Sequence, residues 1–336
     1  MIGLSVYLSD EFAEKQICRA AKLGIRNAFT SFHIPEESGI LMDRARELLS
    51  LFNENDFDVY ADVSHKTPEV LGVSSLEALR ELGVKAIRLD DEFTSEEVVN
   101  LSKTFKLAIN ASTLSLKEVK EWLDLGLDPE NLIAWHNFYP RPETGLDYSS
   151  FIVQQKMFDE FKIPVYAFVP GDREKRGPLY KGLPTLEDHR MTDPYLSAIE
   201  LNSLGVEGIF IGDPDFSNEL LGKLTRFDHE GVIELGYTGD AELKGDYQLR
   251  PDPGRDVLRL LDTRTKGNVA PSNTHERLRG AITQDNDEYG RYRGEIQLVK
   301  RNLKANSAVN VIGKINESDL PLLDLMNSGQ KITFRR

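Results

Sequence analysis

An eightfold alternation constrains this chain more than any other feature. Eight short β-rich runs, "IGLSVYL", "RNAFTSF", "FDVYADV", "KAIRLDD", "KLAINAS", "LIAWHN", "PVYAFV" and "EGIFIGD", follow one another up to about residue 224, with helical patterns between them. Leu41, Ala45, Leu48 and Phe52 fall at helical spacing. Thr94 with Glu97, and Ser115 with Glu118, have capping-box spacing ahead of apolar positions. "LGI", "LGV" and "LGL" recur where a helix hands over to a strand, with glycine suited to the residue after the last turn. Eight such units predict an α/β fold, a (β/α)8 barrel. The open doubly wound sheet is the alternative, but no glycine-rich phosphate turn follows the first strand.

After "SNELLGKLTRF" the texture changes. "GVIELGY", "DYQLR", "VLRLLDTR", "GAITQDN", "RGEIQLV" and "VNVIGKI" are strand-like, with turn residues between them and little helical patterning. The expected division is a barrel over 1–226 and a compact β-domain over 227–336.

Composition narrows the partners. A net charge of −14 repels nucleic acid and anionic membrane surfaces, yet a few basic residues in a pocket can still hold a small phosphorylated ligand. The single Cys18 allows no intrachain disulfide. The start has no basic, signal-like segment, and no apolar run approaches the roughly 18 residues of a spanning helix. A cytoplasmic protein is expected. Neither a metal nor a cofactor is expected, and a second copy of the chain is a candidate partner.

Barrel active sites lie at the C-terminal ends of the strands, and side chains alternate along each strand. In "AIRLDD" the apolar Ile87 and Leu89 are expected to face the helices, which turns Arg88 and Asp90 inward. The same reasoning turns Asp62, Asn110, Ser5 and Tyr7 inward. It sends Ile133 and Trp135 outward and turns His136 in. Two inward carboxylates on neighbouring strands, Asp62 and Asp90, are costly unless neutralised or used. A proline-stiffened loop, "HNFYPRPETGL", adds Asn137, Tyr139, Arg141 and Glu143. His33 follows the second strand. The long connection after strand seven adds Arg176, Glu187, His189 and Arg190, in an Arg-, Lys- and Gly-rich stretch suited to an anion. The bland readings are an Arg88 ion pair that fills the barrel, a satisfied core histidine and solvated loop charges.

The strings "IRLDDEF", "INAST", "HNFYPRPETGL", "GLPTLEDHR", "IGDP" and "DNDEYGRYRGEIQL" together resemble the bacterial 6-phospho-N-acetylmuramidase family over essentially the whole chain. The resemblance implies a TIM barrel followed by a small cyclophilin-like β-barrel domain. It also implies hydrolysis of phosphorylated MurNAc-GlcNAc to N-acetylmuramic acid 6-phosphate and N-acetylglucosamine in cell-wall recycling. Some members carry glycine where this chain has Glu92. Such a reaction ordinarily uses two carboxyl groups about 5 to 9 Å apart, or else the substrate's own 2-acetamido group as nucleophile, with one carboxylate to orient it and another as acid. Asp62 and Asp90 are the candidate pair and Glu143 a third acid. Arg141, Arg176, His189 and Arg190 are candidates for the substrate's phosphate and lactyl carboxylate. Tyr139 is a candidate for stacking on a sugar face.

Two other classes compete. Asp62, Asp90 and His136 could ligate a metal in a phosphosugar isomerase or aldolase, although no HxH or HxxxH pair is present. A phosphosugar-binding protein without catalysis is the third. The β-domain is not expected to isomerise prolyl bonds. Arg291 and Asn286 are scattered mimics of such a site, and both tryptophans lie in the first domain.

Overall fold

Parallel strands joined by helices can bury both faces only if the sheet is covered on one side and filled on the other. A computed structural model, which describes residues 1–32, 41–89 and 93–336, shows how this chain does so. The chain divides into two units, Met1–Thr225 and Arg226–Arg336.

In the first unit, strands β1 (Ile2–Ser5), β2 (Asn27–Ser31), β3 (Asp58–Val63), β4 (Val84–Leu89), β5 (Lys106–Asn110), β6 (Leu132–Trp135), β7 (Val165–Val169) and β8 (Gly208–Ile211) form a closed barrel in sequence order. Every neighbouring pair is parallel, and β1 closes on β8. Thr94 and Ser115 make the two capping boxes that their spacing predicts. The handover glycines Gly126 and Gly205 hold φ of 95° and 89°, a conformation that strains other residues.

The barrel is filled by aromatic rings. Phe29, Tyr60, Trp135, Tyr166, Phe168 and Phe210 share one buried cluster with Ala86, Ala108 and Ile133. Trp135 lies 4.4 Å from Phe210 and 5.3 Å from Tyr60, centroid to centroid. Glycines make the room. A Cβ on Gly3 would stand 2.3 Å from the Phe210 ring, and one on Gly208 2.4 Å from the Tyr166 ring. The plug corrects one expectation, since Ile133 and Trp135 point into the barrel.

The second unit is a seven-stranded sheet of β9 (Val232–Thr238), β10 (Asp246–Gln248), β11 (Val257–Arg259), β12 (Ala281–Asp285), β13 (Ile296–Val299), β14 (Val309–Ile315) and β15 (Lys331–Arg335). Its order is β10-β15-β9-β14-β12-β13-β11. The β15–β9 pair is parallel and the other pairs are antiparallel. The sheet curls until its edges meet. A Leu249–Leu260 bridge joins the ends of β10 and β11, and the Leu261 N–H donates to the Gln248 carbonyl (2.8 Å). This protects edges that would otherwise invite pairing. Six of these strands, β9 to β14, coincide with the strand-like runs of the sequence; β15 lies outside those runs.

Candidate active site at the barrel mouth

Two residues beyond the plug, the inner face turns polar. Asp62 and Arg88 are direct neighbours in the β3–β4 register. Arg88 Nη1 donates to Asp62 Oδ1 (3.2 Å), and Nη2 donates to Asn137 Oδ1. The Ser31 hydroxyl reaches Asp62 Oδ2 at 3.4 Å. Arg88 is 8% exposed, so this pair sits where desolvation is costly and geometry must offset it. Asn110, at the end of β5, accepts the Ser112 N–H (3.1 Å). The buried Tyr7 donates to the Gly212 carbonyl (2.7 Å), and burial pushes its pKa upward. The Arg176 guanidinium lies over the Tyr7 ring at 3.7 Å.

His136 does not join this tier. With Trp135 inside, the next residue must face outward. His136 is fully buried against Phe151 of the helix Tyr148–Glu160, with ring centroids 4.7 Å apart. Its Nδ1 lies 3.3 Å from the Ser112 hydroxyl, and Nε2 has no partner among the described residues. Burial, with a smaller push from Arg88, lowers its pKa to about 3. The expected inward histidine is thus a neutral wall residue. Asn137, one position on, is the inward group. His33 and Asp90, with Glu92, lie outside the described residues.

The loop after β6 and the connection after β7 are stapled into one wall. The Tyr139 N–H donates to the Pro184 carbonyl (2.9 Å), and Leu146 bridges Leu186. The Thr185 hydroxyl accepts from Phe168 N and donates to the Asn137 carbonyl, both at 2.9 Å. Glu187 accepts from the backbone N–H groups of Glu143 (2.9 Å) and Gly145 (2.7 Å), and from Arg190 Nε and Nη2 (2.7 Å each). Arg190, aided by those amides, holds this carboxyl down at about 2. Arg190 also donates to the carbonyls of Gly182 (3.1 Å) and Arg141 (3.2 Å). His189 is buried and lies 3.1 Å from Glu200 on the helix Pro194–Ser203. Glu187, Arg190 and His189 Nε2, candidate substrate contacts by sequence, therefore hydrogen-bond within the framework, while His189 Nδ1 is buried with no partner among the described residues. The side chains of Arg141 and Glu143 are exposed and Tyr139 is half-buried. Glu143 holds φ of 71°, an uncommon conformation for a residue with a Cβ.

Two further carboxylates stand at the strand ends that the sequence pattern does not single out. Asp213, fully buried just past β8, accepts the N–H groups of Gly171 (3.0 Å), Arg176 (3.0 Å) and Leu183 (3.3 Å). Lys175 Nζ stands 3.8 Å away. Burial raises its pKa and these donors oppose the rise. Asp213 thereby shapes the connection that carries Lys175 and Arg176. Asp10, just past β1, lines a cavity of about 500 Å3 together with Tyr7, Lys175, Arg176 and Tyr180. Burial, with a smaller contribution from nearby acids, raises its pKa to about 6. The signal was available, because both residues follow C-terminal strand ends. Among the described residues no group of three or more His, Cys, Asp and Glu is placed to hold a metal ion. His136 lies on the opposite side of the sheet from Asp62, so the imagined Asp62, Asp90 and His136 set does not converge.

Comparison with known proteins fits this architecture. Residues 2–226 match the family model described as 6-phospho-N-acetylmuramidase, N-terminal, and residues 237–335 match its C-terminal counterpart. The crystal structure of a conserved protein of unknown function from a locus in Enterococcus faecalis is 33% identical, with a TM-score of 0.85 over 100% of this chain and 96% of that one. An uncharacterized B. cereus protein shares the fold at 24% identity, with a TM-score of 0.81 over 100% of this chain and 99% of that one. No curated protein matches. No helix among the described residues is long and apolar enough to cross a membrane. With both family models matched in order along the chain, it belongs to the 6-phospho-N-acetylmuramidase family.

Proposed function

We propose that this chain is a cytoplasmic 6-phospho-N-acetylmuramidase, a glycosidase that releases N-acetylglucosamine from MurNAc 6-phosphate-GlcNAc in peptidoglycan recycling. The observation that carries the reading is the Asp62–Arg88–Asn137 tier, set directly above a sealed aromatic plug. A charged tier at the open end of a filled barrel has a chemical use that a pair inside the plug would lack. Asp62 and Asp90 are the carboxylate pair of this reading, with Glu143 as a third acid on the loop wall. Asn110, Asn137, Tyr7 and His33 line the sugar, and Tyr139 stacks on it. Arg190 is already committed to Glu187, which leaves Arg176, Lys175 and Arg141 to meet the phosphate and the lactyl carboxylate.

The test is single-turnover hydrolysis of the phosphorylated disaccharide by the wild type, Asp62→Asn and Asp90→Asn, beside thermal melts. General acid–base catalysis contributes about 10² to 10⁴-fold, so each variant should lose at least that in kcat while still folding. Binding without turnover by the wild type would indicate a sugar-phosphate receptor instead. Turnover abolished by a chelator and restored by a metal ion would favour the isomerase or aldolase class. Retention of more than about a tenth of the activity by Asp90→Asn would move catalysis to another rim acid.

A further inference from the structure

We infer that Asp10, in the loop after β1, is the proton donor to the leaving sugar, an inference that rests on the glycosidase reading above. Hydrolysis divides two roles between carboxyl groups, one kept ionised and one kept protonated. Asp62 is committed to the Arg88 guanidinium at 3.2 Å and fits the ionised role. The proton has to come from elsewhere on the rim.

Asp10 has the surroundings for it. It lines the cavity of about 500 Å3 at the strand ends, with Tyr7 and Arg176 beside it. Its backbone N–H is tied to the Tyr7 carbonyl (3.1 Å), which fixes it to the end of β1. Oδ1 accepts the Phe12 N–H (2.8 Å), and among the described residues no hydrogen bond occupies Oδ2. The groups around it are Glu11 on its own loop, Asp215 past β8, and Glu174, Lys175 and Arg176 on the connection after β7. Burial is the larger cause of its retained proton, and Asp215, Glu11 and Glu174 add to it. The resulting value near 6 lets it hold a proton in weakly acidic solution and release it to a developing alkoxide. β1 and β3 flank β2, so at the usual spacing those two strands lie about 10 Å apart.

The step balances. The glycosidic C–O bond breaks, its electron pair goes to oxygen, and that oxygen takes the Asp10 proton. N-acetylglucosamine leaves as a neutral alcohol and Asp10 becomes a carboxylate. Water adds to the anomeric carbon and gives its proton to a basic carboxylate of the mouth. Proton exchange with solvent restores both groups.

Asp10→Asn separates chemistry from structure, because the amide oxygen still accepts the Phe12 N–H. On the phosphorylated disaccharide, kcat should fall by about 10² to 10⁴-fold, and the alkaline limb of the kcat/KM profile should disappear. On a phosphorylated N-acetylmuramoyl glycoside with a nitrophenolate leaving group, which needs no acid, the rate should stay within about tenfold of wild type, less than a full loss of acid catalysis. Equal losses on both substrates, or no loss on the disaccharide, would overturn the assignment of Asp10 while leaving the glycosidase reading intact. A wild type inactive on both substrates would sink the glycosidase reading, and the Asp10 assignment with it.

Discussion

At the scale of single residues, Trp135 and His136 show why inside and outside are hard to read in this barrel. Alternation reveals that neighbours face opposite ways; it does not reveal which face is which when both are buried. In β3 to β5, Asp62, Arg88 and Asn110 fall on the same strand face as the plug residues Tyr60, Ala86 and Ala108. In β6 the interior is itself aromatic, so the most apolar residue goes in and the histidine goes out. The consequence is measurable. His136 is buried neutral, with a pKa of about 3 against an ordinary value near 6.5 in the unfolded chain. Its folded-state pKa is depressed, so the unfolded chain binds the extra proton between those values, and stability falls as pH drops through that window. A shift of that size corresponds to roughly 4–5 kcal/mol at its limit. Asp285 in the second unit, raised to about 7 chiefly by burial, has the opposite sign and loses stability as pH rises. Whole-chain melts therefore mix the two. The clean measurement is the difference between wild type and His136→Phe, which keeps the ring against Phe151. The variant should lose less Tm than wild type between pH 7.5 and pH 4.5. An unchanged difference would mean that His136 binds its proton equally well in the folded and the unfolded chain.

At the scale of elements, the loop after β6 and the connection after β7 act as one part. Glu187 makes this so, because each of its oxygens accepts one backbone N–H and one Arg190 N–H. Gly145 is required beside it, since a Cβ there would stand 2.5 Å from Glu187 Oε2 and 2.8 Å from Glu187 backbone nitrogen. The sequence carried both segments as separate polar loops. The pairing between them was not legible, because the hydrogen bonds span some forty residues and leave no local periodicity. Capping boxes and handover glycines, which act within a few residues, were legible for the opposite reason. Glu187→Gln tests the coupling. One amide nitrogen would then face two donors, at a cost of about 1–3 kcal/mol. The Glu143 and Gly145 amides should exchange with deuterium roughly tenfold to a hundredfold faster, while β7 amides stay protected. KM for the disaccharide should rise as Tyr139 and Arg141 lose their fixed stage. Unchanged exchange at both amides would show that the backbone contacts between the segments hold the wall without the carboxylate.

At the scale of the whole molecule, the eightfold alternation and the strand-rich tail were enough to anticipate a closed parallel barrel followed by a separate β-unit. The curl of that second sheet was expected only through the resemblance to a small β-barrel and not from local pattern, because its closing bridge joins residues that flank its two outermost strands. Charge was legible throughout, and it limits how the proposed substrate can approach. A chain of net charge −14 repels a ligand that bears a phosphate and a carboxylate. The cavity at the strand ends is not a basic funnel either, among the described residues: Lys175 and Arg176 share it with Asp10, Glu11 and Glu174. Attraction is left to contacts within a few ångströms, which salt screens weakly, whereas the repulsion is long-range. The Debye length falls from about 30 Å at 0.01 M salt to about 8 Å at 0.15 M. Over that range kcat/KM for the phosphorylated disaccharide should therefore rise, while the unphosphorylated disaccharide should be cleaved far more slowly at every salt concentration. Arg176→Ala should lower the level for the phosphorylated substrate and leave the slope positive, because it removes a contact and not the field. A steep fall in kcat/KM with added salt would mean that a basic patch steers the substrate, and would place phosphate recognition outside the Tyr7 and Arg176 cavity.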